Sequence, residues 1–335
     1  LSLATGSTIT LSSYHWLLAW IGLEINTLAI IPIMTMTTHP RNIEAATKYF
    51  LTQATASSLI LFSSLMNAWQ TGEWNTSFMT GSPINALSIA LMLKLGLAPL
   101  HLWLPEVLQG IPLPAGLLLS TWQKIAPMAL LLQTSHLLNL NLTSILGLTS
   151  ILIGGWSGIA QTQLRKIMAF SSIGHLGWMI IIMKFNPQIA LFNFTIYILL
   201  TSSMFISLLT TNSTKMLELS LTWQKTPALT STTMITLLSL GGLPPLSGFA
   251  PKLLTSLELI KQDLIILSAI ITLASLLALF FYLRLTFIST LTTSPNTNNY
   301  NIFWRKTTKI RLITTTPNTL SMTLLPLTPT ILTLT

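Results

Sequence analysis

Gly96-Leu97-Ala98-Pro99-Leu100-His101-Leu102-Trp103-Leu104-Pro105-Glu106 stands inside one long apolar stretch, and Gly242-Leu243-Pro244-Pro245-Leu246-Ser247-Gly248-Phe249-Ala250-Pro251-Lys252 stands inside another. Both spell Gly-Leu-x-Pro-Leu-x-x-aromatic-x-Pro-charge without a gap, at a constant offset of 146 residues (96 to 242, 106 to 252). Gly and Pro inside a span free backbone groups that lipid cannot satisfy, so such breaks survive only where protein or a wet cavity surrounds them. Matched broken helices in two halves of a chain mark an ion path through a membrane. The plainer alternative is two Pro-kinked helices that resemble each other by chance. Another near-repeat, Thr121-Trp122-Gln123-Lys124 and Thr222-Trp223-Gln224-Lys225, does not share the offset and is set aside as coincidence.

The surroundings of the two motifs are those of a membrane protein. Only 7% of the 335 residues are charged, 51% are hydrophobic, and the mean hydropathy is +0.69. A soluble domain needs a surface with roughly 25% charged residues. Apolar windows of span length fall near 1–13, 15–36, 43–68, 83–106, 114–136, 140–161, 167–184, 188–211, 228–250, 263–288 and 317–335. The pattern predicts an all-α polytopic membrane protein with about eleven transmembrane helices. The motifs occupy the fourth and ninth spans, five apart, so the two copies run in opposite directions: an inverted repeat. The chain begins at Leu1, and its short first apolar stretch reads as a truncated first span rather than a signal peptide, which would carry a basic n-region.

Charge orients the spans. Loops after the second, sixth, eighth and tenth helices, with adjoining helix ends, hold Arg41, Lys48, Arg165, Lys166, Lys215, Lys225, Arg284, Arg305, Lys306, Lys309 and Arg311; the other side holds Lys184 and Lys261. By the positive-inside rule the basic side, with the N-terminus, faces the compartment of synthesis. The net charge of +9 is spread over these loops without a basic stripe interleaved with aromatics, which excludes a nucleic-acid partner.

Three charges fall where they are expensive. Glu24 is central in the second span, Lys94 precedes the Gly96 break, and Lys124 is central in the fifth span. Each costs at least about 2.5–3.5 kcal/mol at mid-bilayer by insertion scales, which calls for a function or a partner. A Glu24–Lys94 ion pair that merely locks helices is the structural alternative. Lys124 has no nearby acid in sequence, and a buried lysine without a counter-ion can exchange its proton near neutral pH. Lys252 is a snorkelling interfacial lysine if the ninth helix ends at Gly248, or an intramembrane one if the helix resumes after Pro251; the repeat favours the second. His101 and His175 lie at or near mid-span, where each could carry protons or rest neutral on a backbone carbonyl. Glu106, beside Pro105, reads as an interfacial charge. Trp16, Trp20, Trp103 and Trp178 are assigned no chemistry.

Absences narrow the function. The chain has no cysteine, which excludes disulfides, thiolate metal sites and Cys-ligated iron–sulfur clusters, and no HExxH-like spacing among His15, His39, His101, His136 and His175. It has no GxGxxG after a strand and no Walker A pattern. It therefore needs driving energy from elsewhere.

At these residues the chain resembles the antiporter-like membrane-arm subunits of respiratory complex I, the NADH–ubiquinone oxidoreductase, in their vertebrate, mitochondrially encoded form. The most telling stretches are 15–26, from His15 to Glu24 and Asn26; 44–53, from Glu44 to Gln53; 161–172, with Arg165-Lys166-Ile167-Met168-Ala169-Phe170-Ser171-Ser172; and 240–249, with Gly241-Gly242-Leu243-Pro244-Pro245. The resemblance implies two inverted five-helix repeats, each with a broken helix, here 1–137 and 138–290, followed by 291–335 as a polar loop and a last helix. It implies a form lacking the first three helices of bacterial relatives, in accord with eleven spans. It makes Glu24 and Lys94 a Glu–Lys pair, Lys124 the mid-membrane relay lysine, Lys252 the terminal lysine and His175 a half-channel histidine, with His101 less firmly placed. It implies proton translocation in the mitochondrial inner membrane, N-terminus to the matrix, by a core subunit of the reductase without a redox centre. NAD, FMN, iron–sulfur clusters and ubiquinone would belong to partner subunits; other membrane-arm and accessory subunits and phospholipids would be neighbours. A freestanding cation–proton antiporter of the same fold is the rival, separable because it would catalyse exchange alone in liposomes. A structural spacer whose buried charges only hold helices is the third reading.

Overall fold

The computed structural model describes residues 1–76, 78–79, 81–224, 226–291 and 312–330. Lys225, the basic residues Arg305, Lys306, Lys309 and Arg311, and the end of the last expected span lie outside the described residues. The described residues form helices and connections, with isolated bridges at His15–Asn75 and Gln163–Lys215 and no strand. In chain order they are α1 (Ser2–Ser12), α2 (Trp16–Met34), α3 (Pro40–Thr71), α4 (Ser82–Leu95), α5 (Trp103–Gly110), α6 (Leu113–Ser120), α7 (Trp122–Gln133) and α8 (Leu140–Ile159). There follow α9 (Leu164–Met183), α10 (Pro187–Thr211), α11 (Met216–Leu221), α12 (Pro227–Gly241), α13 (Phe249–Lys261), α14 (Ile265–Leu291) and α15 (Leu312–Thr323). Among the described residues, six segments are long and apolar enough to cross a membrane: α2, α6 with α7, α8, α9, α10 and α14.

The polarity of the fold is that of a protein dissolved in lipid. Leu273, Leu276, Phe280 and Phe287 of α14, and Ile145, Leu152 and Trp156 of α8, stand exposed, while Lys94, Lys124 and many serines and threonines are buried. An aqueous surface with so much contiguous apolar area would associate or precipitate. The buried hydroxyls are quenched locally: Ser171, Ser172, Ser203 and Ser207 each donate to the carbonyl three residues back at 2.7–2.8 Å. Such back-bonding is cheap inside a helix and leaves no polar atom facing lipid.

Both repeat motifs break their helices in the same way. Gly96 (φ 81) and Gly242 (φ 79) end α4 and α12 in the left-handed region that favours glycine. At each end the next amide reaches back five residues, Leu97 to Met92 and Leu243 to Leu238, so freed carbonyls find donors. The Trp103 indole N–H donates to the Leu93 carbonyl at 3.3 Å, tying α5 back onto the end of α4. The chain then re-enters helix at Trp103 and at Phe249.

Two boundaries differ from the sequence reading. The fifth span is expected to be continuous, but it breaks at Thr121 (φ −114, ψ −71) between α6 and α7. Pro127 removes the amide that would bond the Gln123 carbonyl and crowds the turn before it, and Thr121 Oγ1 draws on the Leu117 carbonyl at 2.7 Å. Among the described residues the last helix is already formed at Leu312, ahead of Pro317 rather than at it.

The loop between α10 and α12 carries a local fastener. Glu218, in the first turn of α11, accepts from the Thr214 N–H at 2.7 Å, the Thr214 hydroxyl at 2.9 Å and the Lys215 N–H at 3.1 Å. These donors, the Thr214 amide foremost, hold its carboxyl below the usual range. A carboxyl depressed by folding stabilises fully above its free pKa, and the gain fades as pH falls through the lowered value. Glu218→Ala is expected to cost about 1 kcal/mol. Hydrogen exchange of the Thr214 and Lys215 amides should speed up by about fivefold for each kcal/mol lost; unchanged exchange would show that the cap contributes nothing.

Candidate proton-transfer axis

α2, α3, α4 and α7 converge on a cavity of about 20 Å³ lined by Asn26, Thr27, Tyr49, Gln53, Lys94, Gln123 and Lys124 among its polar residues. That is room for about one water molecule, which needs roughly 10–15 Å³. Lys94 enters from the last turn of α4, where the negative end of the helix dipole suits a cation. Lys124 enters from the first turn of α7, where the dipole opposes one.

The pairing of Glu24 with Lys94 takes an unexpected form. Among the described residues the contact ion pairs are Lys48–Glu44, Lys48–Glu106 and Lys261–Glu258, so Glu24 and Lys94 do not touch. Glu24 Oε2 and Lys94 Nζ are both buried without a partner among the described residues, although Glu24 lies within electrostatic range of Lys94 and of Tyr49. The cause is architectural: α3 packs against both α2 and α4, bringing Tyr49 and Gln53 to the same cavity as Lys94.

A second cavity of about 20 Å³ lies among α9, α10 and α13, lined by His175, Asn193, Tyr197 and Lys252 with apolar neighbours. Lys252 Nζ donates to the Gly241 carbonyl at 2.7 Å, a carbonyl released where α12 ends. Gly242 makes room for that lysine, since a Cβ there would stand 2.9 Å from its Cδ, Cε and Nζ. Lys252 and Lys124 are both near enough to His175 to act on it electrostatically. Between the cavities, Lys124 Nζ donates to Tyr197 Oη at 2.9 Å, and Tyr197 Oη donates to the Ser120 carbonyl at 3.0 Å.

The structure therefore gathers Lys94 with Lys124 and His175 with Lys252, with Glu24 beside the first group. It leaves His101 apart. That ring sits in the α4–α5 break with Nδ1 3.2 Å from the Pro99 carbonyl and lines neither cavity. Glu106 is bonded to Lys48 at 2.8 Å, both side chains half-exposed, as an interfacial charge should be. Trp103 and Trp178 serve as apolar walls of the first and second cavity. Tyr197, Asn193 and Gln53 were not foreseen. Six of the nine buried side-chain atoms that have no partner among the described residues belong to Glu24, Asn26, Gln53, Lys94 and Asn193, all on this axis. In a folded protein such atoms are few, and each calls for an explanation.

The family described as "NADH:quinone oxidoreductase/Mrp antiporter, TM" matches residues 13–278, and "NADH dehydrogenase subunit 2 C-terminus" matches 279–332. The NADH-ubiquinone oxidoreductase chain 2 of Aquarana catesbeiana is 69% identical, aligned over 100% of this chain and 97% of the relative. That of Xenopus laevis is 58% identical over 99% of this chain and 97% of its own length. This chain belongs to the NADH-ubiquinone oxidoreductase chain 2 family. Among solved structures, respiratory complex I from Thermus thermophilus with bound Aureothin contains a chain that superposes with a TM-score of 0.87 at 26% identity, covering 99% of this chain and 78% of that one. The Mrp complex from Dietzia sp. DQ12-45-1b shares the fold, with a TM-score of 0.79 at 16% identity over 88% of this chain and 60% of that one. Both cavities of this chain 2 family member lie wholly within the residues matched to the membrane family.

Proposed function

We propose that this chain 2 family member moves protons across the mitochondrial inner membrane through Glu24, Lys94, Lys124, His175 and Lys252, driven by electron transfer from NADH to ubiquinone in partner subunits. The observation that carries the reading is the placement of four basic side chains, Lys94 and Lys124 buried and His175 and Lys252 partly buried, in pairs around two water-sized cavities. The relatives' printed names put the family in NADH–ubiquinone oxidoreductase, which disfavours the freestanding antiporter. The chain acts as a core subunit of that reductase and holds no redox centre; NAD, FMN, iron–sulfur clusters and ubiquinone serve in its partners. Its neighbours are other membrane-arm and accessory subunits and phospholipids. His101, which lines neither cavity, is left off the proposed path.

The architecture we propose is eleven spans: α4–α5, α6–α7 and α12–α13 each count as one broken or bent span, residues 1–137 and 138–290 form inverted five-helix repeats, and 291–335 complete the chain. Contacts between loops support the alternation. The Leu164 N–H bonds the Thr214 carbonyl, and Arg284 bonds the Ile159 and Gln161 carbonyls, so loops carrying basic residues share one side. Arg41, Lys48 and Lys166 border one cleft on that side. The His15–Asn75 bridge joins loops of the opposite side. The basic side faces the matrix with the N-terminus, and the C-terminus faces the intermembrane space.

Replacing Lys252 with methionine keeps the length and the apolar stem but removes the ammonium that bonds the Gly241 carbonyl beside the second cavity. Coupled turnover of the assembled complex in sealed vesicles is expected to fall tenfold or more, the scale of a lost proton-transfer group. Unaltered protons moved per NADH, at full assembly, would remove Lys252 from the path.

A further inference from the structure

The two cavities share no lining residue. What links them is a hydrogen bond between two side chains. Lys124 lines the first cavity, Tyr197 lines the second, and the 2.9 Å bond from Lys124 Nζ to Tyr197 Oη crosses the partition. We infer that Tyr197 is the switchable joint of the axis, its hydroxyl passing protons between the Lys124 cavity and the His175–Lys252 cavity when it swings off the Ser120 carbonyl. The inference rests on the relay reading and adds to it the residue and the movement by which the two halves are connected or kept apart.

The hydrogen-bond directions define the closed setting. An ammonium can only donate, so the Lys124–Tyr197 bond has the phenol oxygen as acceptor. The phenol proton is then spent on the Ser120 carbonyl, 3.0 Å away, a backbone acceptor that cannot pass a proton onward. Proton exchange between the cavities is blocked while that bond holds. The Ser120 carbonyl is available as a resting place because α6 stops there: the chain turns out of helix at Thr121. Rotation of the hydroxyl about its C–O bond aims its proton instead into the second cavity. The ring already lines that space, Ser172 lies beside the phenol, and Asn193 offers both amide atoms without a partner among the described residues. Asn193 is 3% exposed, and an orphaned amide aimed at a water-sized cavity is the feature expected of a water-holding site.

The transfer balances. Tyr197 gives its proton to a water of the second cavity as it takes one from Lys124, so the phenol is neutral before and after. The lysine ends neutral, and the charge has moved to the His175–Lys252 side. Nothing is oxidised or reduced. The same two bonds serve as the gate: a Lys124 that has lost its proton no longer presses on the phenol oxygen and can accept from it, so the direction of the Tyr197 proton follows the state of the lysine.

Tyr197→Phe keeps the ring and deletes the hydroxyl. In the assembled complex in sealed vesicles, it is expected to lower coupled turnover tenfold or more and to raise the solvent deuterium isotope effect, because proton transfer becomes limiting; NADH oxidation by an artificial acceptor should not change. A merely structural role would leave the isotope effect as it was. Lys124→Met, measured beside it, separates the two readings. If Lys124→Met lowers pumping and Tyr197→Phe does not, the relay stands and the joint is overturned. If neither does, the relay itself fails. Should Tyr197→Phe not assemble, a water-resolving map of the native complex decides: a water within bonding reach of Asn193 and Tyr197 supports the joint, and a continuous water file from Lys124 to His175 that bypasses Tyr197 overturns it.

Discussion

Lys124→Met is expected to lower coupled turnover of the assembled complex by on the order of 10²-fold, with little loss of stability. The stability half follows from what the lysine touches. Its ammonium bonds Tyr197 Oη at 2.9 Å and lies 5.0 Å over the Tyr197 ring, but the phenol also donates to the Ser120 carbonyl, so deleting the lysine orphans no donor. Methionine is close in length and flexible, and exchanging a buried charge for an apolar group of similar volume is often neutral or stabilising. The functional half follows from position. Lys124 is the residue of the first cavity that touches the second cavity's wall, and neither Lys94 nor Gln123 bonds Tyr197. A native gel checks assembly, and proton uptake per NADH in vesicles checks coupling. Full assembly with unchanged uptake would leave the buried charges as helix ties, which is the spacer reading.

How much of this could be read from the chain alone differs residue by residue. Lys94 and Lys124 were legible because lipid makes a charge expensive wherever the neighbours are, so position in an apolar run is information enough, whereas only the repeat argued for Lys252 as an intramembrane lysine. The breaks at Gly96 and Gly242 were legible because two copies of Gly-Leu-x-Pro at one offset free backbone groups that lipid cannot satisfy. The separation of Glu24 from Lys94 was not, since cost per charge says nothing about which helix stands between two charges; α3 packs on both α2 and α4, and its own polar residues Tyr49 and Gln53 face the cavity. Tyr197 was invisible for another reason. Within Phe194-Thr195-Ile196-Tyr197 it reads as one more aromatic in a span, and only the bend at Thr121 brings a lysine and a bare carbonyl to its hydroxyl. Asn193 likewise gives no signal until the cavity beside it is seen. The bend at Thr121 had a signal, Pro127 six residues on, which counts for little in a span where prolines are tolerated.

Gly154→Ala is expected to disrupt assembly, whereas Gly174→Ala, on the facing helix at the same crossing, is expected to be tolerated. α8 and α9 pack tightly along Gly147, Gly154 and Gly177, small residues that let two backbones approach. A Cβ on Gly154 would stand 2.8 Å from the Gly174 amide nitrogen and 2.9 Å from the Phe170 carbonyl oxygen, backbone atoms that no rotamer change can move. A Cβ on Gly174 would meet nothing within 4 Å. Alanine gains about 0.8–1 kcal/mol of helix propensity at either position, so Gly174→Ala should be neutral or slightly stabilising. At Gly154 the overpacking cost of about 1–3 kcal/mol or more exceeds that gain, since relief requires the helices to part. Parting them moves function as well as stability, because His175 follows Gly174 on the helix that would be displaced and faces Lys252 across the second cavity. The thermal stability of the solubilised complex and its coupled turnover should therefore fall together in Gly154→Ala and hold in Gly174→Ala. Equal behaviour of the two variants would mean that the α8–α9 seam does not set the position of His175.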